Sequence, residues 1–304
     1  MLHLKASPLQ DAKRRIATME NQSVLSKYKR QPKIYLTLPS GGKFYKTNPV
    51  EKSGSGELPI YSMTAKDELM MKTPDALMNG EATAEVIKSC CPLIADPWDI
   101  PMIDIDAILI AMRIATYGES MDVEVPIMGL EEPVTETAQI DLREILDSMQ
   151  GKNYPETFKH GDLVFHMKPL TYKQSTGFYQ STYENQRLAG LLQRTDVDDA
   201  DKLKAFKEGF KKLSAMTLEM ILSQVIAIET PEGTENDANA IRDFFNNTDK
   251  DTFVAVEKHL ERVKDDWSIK PRQIKVSKEY VDQGAPETVD VPLLFDTANF
   301  FVSK

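Results

Sequence analysis

The sequence predicts an α+β protein that is predominantly helical, with its strands gathered near the start and at the end. Three observations carry that prediction. The stretch "KIYLTLPSGGKFY" alternates apolar and polar residues around Gly41-Gly42, a hairpin signal. The stretch "MIDIDAILIAMRIATYG" is apolar on nearly all sides and stopped by Gly118, as in a buried helix. From Tyr172 to Val263 long helical patterns follow one another, parted by caps and by the breaker pair Pro231 and Gly233.

Taken in order, residues 1–32 form a basic arm. Its first thirty residues carry Lys5, Lys13, Arg14, Arg15, Lys27, Lys29 and Arg30 against Asp11 and Glu20, a net +5 in a chain whose total is −10. The stripe Leu9, Ala12, Ile16 and Met19 is thin, so the arm either stays solvated or orders on a partner. Residues 33–150 form an N-terminal α/β-hairpin domain. Thr64 caps a helix through "AKDELMM", "GEATAEVIKSCCP" makes a second, and Asp104 and Asp106 sit where the dipole of the apolar helix favours negative charge. Behind that helix, "MDVEV" and "TAQIDL" flank the loop "VPIMGLEEPV", and "DLREILDSM" follows as a short helix. Residues 151–268 are mainly helical after the strand "HGDLVFHMKP", with Thr171 as a cap and the helix "ADKLKAFKEGFKKLSAMTLEMILSQVIAIE" unbroken to Glu229. Residues 269–304 return to strand-and-turn chemistry and end in an aromatic tail.

Composition limits the function classes. A chain of 304 residues at 41% apolar can bury a core, roughly two domains' worth by length. The net charge argues against nucleic-acid binding by overall electrostatics. Cys90 and Cys91 are adjacent, which suits neither a structural disulfide nor a disulfide scaffold and points to a reducing compartment. No apolar run approaches the ~20 residues of a membrane span.

No catalytic constellation emerges. The chain has no phosphate loop, dinucleotide fingerprint or nucleophile elbow, and the glycines of "PSGGKF" are read as a turn. His3, His160, His166 and His259 are dispersed, so no metal pair is expected. Cys90 and Cys91 are small buried fillers rather than activated thiols. "TDVDDADK" lacks the Gly and Glu of a calcium loop. Phe295, Phe300 and Phe301 are costly to expose, so the tail docks either on its own domain or into a neighbour.

"LPSGGKFY", "ELPIYSMTAKDELMMKTPDALMNGEATAEVIKSCC", "IDIDAILIAMRIATYGESMDVEV", "LVFHMKPLTY" and the terminal "FDTANFF" together resemble the base plate proteins of T-even-type contractile-tailed phages. The resemblance covers about Ile34 to Thr171 and the last dozen residues. It implies a virion structural protein or hub-assembly chaperone of the tail baseplate, built in the host cytoplasm, with no reaction of its own and no cofactor. It also implies other baseplate or tail proteins as partners, neither membrane nor nucleic acid among them, and leaves oligomeric state open. Relatives carry Cys-x-x-Cys pairs that look like halves of a zinc ribbon. Here the corresponding places, Val125 to Gly129 and near Ser277 to Tyr280, hold no thiolate, so the hairpin is a degenerate ribbon and no metal is expected. Apolar contact through Val125, Ile127, Met128 and Leu130, stiffened by Pro126 and Pro133, takes the clamp's place. The residues expected to meet partners are Lys13, Arg14, Arg15, Lys29 and Arg30 in the arm and Phe295, Phe300 and Phe301 in the tail. The alternative is a nucleic-acid-binding accessory protein that uses the same arm.

Overall fold

A computed structural model describes residues 25, 28–72, 79–130, 134–192, 199–293 and 300–301, with backbone alone for 188–192, 199–203 and 205. The fold is mixed α+β, 46% helical and 22% strand, with ten strands in four small sheets among the described residues. The expectation of a predominantly helical protein is corrected by that strand content. The strands are short and dispersed, and several lack the long period-two runs that announce a sheet in sequence.

β1 (Pro32–Leu36) pairs antiparallel with β2 (Leu58–Tyr61), burying Ile34, Leu36, Leu58 and Ile60 on one face. The predicted hairpin around Gly41-Gly42 is therefore not formed. Phe44 sits in the left-handed region at φ 69, which breaks a strand at once, and Ser40 is bonded elsewhere. Gly42, at φ 81, is needed for space as well, since a Cβ there would lie 2.2 Å from Asn48 Oδ1.

α1 (Ala65–Met71) opens with a capping box in which Thr64 and Asp67 satisfy each other's backbone N–H. α2 (Glu81–Cys90) and α3 (Met102–Tyr117) follow, joined through the 3₁₀ turn Pro97–Asp99. α3 buries Ile105, Ile108, Ile110 and Met112 on successive faces, so it runs through the middle of the largest cluster rather than along its edge. β3 (Ser120–Ile127) and β4 (Val134–Asp141) form an eight-residue antiparallel ribbon, longer than the two predicted runs, and α4 (Leu142–Ser148) starts from an Asp141 cap.

A second cluster is built on a four-stranded antiparallel sheet in the order β5 (Thr157–His160), β6 (Leu163–Met167), then β7 (Val225–Thr230) and β8 (Gly233–Glu235). The helical hairpin α5 (Tyr172–Leu192) and α6 (Asp199–Leu222) is inserted between β6 and β7. The predicted helix through Glu229 thus ends at Leu222. Val225 and Ile228 are claimed by pairing with β6, where Phe165 is fully buried. α7 (Ala238–Asn247) and α8 (Lys250–Trp267) cover that sheet with Ile241, Phe245, Val256 and Leu260. β9 (Arg272–Lys275), α9 (Lys278–Val281) and β10 (Thr288–Val291) then carry the chain back to the first cluster, where Ile274, Val291 and Leu293 pack. The two bodies are joined at Pro101 and Thr171 by an isolated β-bridge and by Trp98 stacked on Tyr172 at 5.4 Å.

Candidate functional site

Four arrangements hold the residues that the sequence singled out. The first is a buried carboxylate. Asp104, fully buried in the first turn of α3, accepts from Ser40 N at 2.7 Å, Ser40 Oγ at 2.5 Å and Tyr45 OH at 2.8 Å. Burial pushes its carboxyl up to about 6, against the downward pull of those hydrogen bonds. Beyond the helix dipole that its position in sequence suggests, Asp104 holds the Ser40 turn on the core. A carboxylate inside an otherwise apolar helix was the available signal.

The second is the clamp around Arg30. Its guanidinium donates to Ser89 O at 2.6 Å, to Ser89 Oγ at 2.8 Å and to Ser62 O, and lies 3.6 Å from Asp67. These bonds tie the start of β1 to α1 and α2, with the Arg30 side chain 30% exposed. Lys29 is exposed, while Lys13, Arg14 and Arg15 lie outside the described residues. The neighbouring Cys90 and Cys91 are both fully buried. Desolvation, chiefly, pushes the Cys90 thiol up to about 12 and the Cys91 thiol well above its ordinary value. Neither is an activated nucleophile.

The third is the tail. Phe300 and Phe301 are 0% and 1% exposed inside the first cluster, and Tyr117 OH donates to the Phe301 carbonyl at 2.8 Å. Of the two alternatives for this pair, docking on its own body is the one seen, so Phe300 and Phe301 are corrected as partner-facing residues. Phe295 lies outside the described residues.

The fourth is the ribbon β3–β4. Val125 and Ile127 are buried with Val276 and Ala285, and Leu130, Tyr280 and Val289 pack around them. The two stretches expected to correspond to separated half-sites, Val125–Gly129 and Ser277–Tyr280, therefore contribute to one apolar cluster. Glu136 accepts from Ser277 N at 3.2 Å and from Ser277 Oγ, which pins the contact. Gly129, at φ 91, lets the ribbon approach Gly284 closely, since a Cβ on Gly129 would be 3.3 Å from the Gly284 carbonyl oxygen. Met128 is corrected as a clamp residue, being 71% exposed at the ribbon's end. Period two explains it, because Val125 and Ile127 face the cluster and Met128 begins the turn beyond them. Pro133 lies outside the described residues. Among the described residues no group of three or more His, Cys, Asp or Glu is placed to hold a metal.

These arrangements are clamps and packing seams built from dispersed parts of the chain, and comparison with known proteins gives them a family. The model of the family described as T4 bacteriophage base plate protein matches residues 31–282. The chain belongs to that family. The match begins just after Arg30 and covers the second cluster whole and most of the other two, leaving out Phe300 and Phe301 of the first and Ala285 of the third. This base plate family protein has a structural role in the phage baseplate, in the virion tail, among other tail proteins. Neither a curated protein nor a solved structure matches it. Among the described residues of the base plate family protein, no helix is long and apolar enough to cross a membrane.

Proposed function

We propose that this chain is a hub or hub-assembly component of the contractile-tail baseplate that works by holding partner surfaces, with no reaction of its own. The observation that supports this most is the family match over residues 31–282. The arrangement of the fold agrees with it. Buried Asp104 and half-buried Arg30 tie remote segments together, and among the described residues neither lies beside a nucleophile paired with a base. The basic arm, through Lys13, Arg14, Arg15 and Lys29, reaches partners in the baseplate after assembly begins in the host cytoplasm. A permanent part and a transient chaperone differ in one measurement. Mass spectrometry of purified virions and of baseplate intermediates finds the chain in both if it is permanent and in the intermediates alone if it is a chaperone. Its absence from both overturns the proposal.

A further inference from the structure

The helical hairpin exposes several large apolar side chains. On α6 the side chains of Phe206, Phe210 and Leu213 are 72%, 66% and 43% exposed, and Met220 continues the series at 37%. At 100° per residue these positions fall within a sector of roughly 80°, the spacing with which one helix lays a stripe against another. The adjoining α5 adds Tyr179 and Tyr183, also exposed and one turn apart. Phenylalanines this open in the middle of a helix are unfavourable in water unless something covers them.

Charge indicates what does. Between residues 204 and 213 the helix carries four lysines, Lys204, Lys207, Lys211 and Lys212, against the single carboxylate Glu208. None of the four forms an ion pair among the described residues. By helical position Lys207 and Lys211 run along one side of the stripe and Lys212 lies on the other. We infer that the Phe206–Phe210–Leu213 stripe is a docking surface for an acidic amphipathic helix of another protein, whose carboxylates meet these lysines while its apolar face covers the phenylalanines. A second copy fits less well, since stacking stripe on stripe brings lysines together. An anionic membrane fits less well too, since the chain as a whole carries −10.

The inference rests on the baseplate reading and names the kind of partner. Its test places a photo-crosslinking phenylalanine analogue at position 206 or 210 of the full chain in infected cells, with position 215, exposed on the opposite side of α6, as control. The expected adduct forms from 206 and 210 but not from 215, and maps to a helix of another baseplate protein with acidic residues beside an apolar stripe. Lys207→Glu with Lys211→Glu lowers its yield about tenfold while leaving the thermal midpoint of the chain unchanged. An adduct to α6 of a second copy, an adduct to lipid, or no adduct while mass spectrometry finds the chain in assembling baseplates overturns the inference alone. Absence of the chain from all baseplate material overturns the reading beneath it as well.

Discussion

Asp104 shows how much one side chain can decide. Its three hydrogen bonds hold the Ser40 turn and Tyr45 on α3, and all three vanish in Asp104→Ala. We expect a loss of about 2–4 kcal/mol, read as a lower denaturant midpoint, because buried donors are left unsatisfied. Its pH behaviour has a definite sign. The folded carboxyl is raised to about 6, above an unfolded value near 4, so the folded state binds the proton more tightly. The stability this contributes is full below about pH 4 and is lost as pH rises through 6. Asp104→Asn should flatten that part of the stability–pH curve; an unchanged slope would show that other groups produce it. At the ribbon, Met128→Asp should shift stability by less than about 0.5 kcal/mol because Met128 is exposed. Ile127→Asp, one pleat repeat from Val125 and 4% exposed, should cost at least about 3 kcal/mol. Equal effects at the two positions would contradict the burial pattern.

Among the elements, the tail and the ribbon carry the clearest tests. Phe301 fills space between α3 and its surroundings in the first cluster, so Phe301→Ala should cost about 3–5 kcal/mol by leaving a cavity. Thermal unfolding of that variant measures it, and a loss below 1 kcal/mol would place the tail outside the core. The ribbon is joined to the C-terminal strands by apolar contact and the Glu136–Ser277 hydrogen bonds. A chelator should accordingly leave the melting curve and the circular dichroism spectrum of the chain unchanged. Unfolding on chelation would mean that a metal, and not Val125, Ile127, Val276 and Ala285, holds the seam.

For the molecule as a whole, the order of packing differs from the order of the chain. The first cluster takes residues from Ile34 to Met149 and then Phe300 and Phe301, while the second, from Phe165 to Leu260, lies between them in sequence. The C-terminal segment thus closes back on the first body. Charge at this scale bears on the alternative reading through nucleic acid. With −10 overall and Arg30 turned inward, the full chain should not be retained by duplex DNA at low salt. Salt-sensitive retention that disappears on deleting residues 1–30 would restore that alternative.

What the sequence determined by itself was local. Thr64 with Asp67 and Thr171 with Gln174 are helix caps in the structure because a short polar side chain can satisfy the next backbone N–H groups without help from the rest of the molecule. The apolar face count of α3 announced its burial, and the phrases shared with the base plate proteins announced the family. Tertiary structure decided which strands pair, where α6 stops and who meets whom. Val225 and Ile228 would serve a helix or a strand equally well until β6 lies beside them. The Ser40 turn could have opened a hairpin until Asp104, sixty-four positions away, bonded it. Arg30, Phe300 and Phe301 look like surface and tail in sequence. They become clamp and core only because Ser89, Asp67 and Tyr117, remote along the chain, are brought to them by the fold.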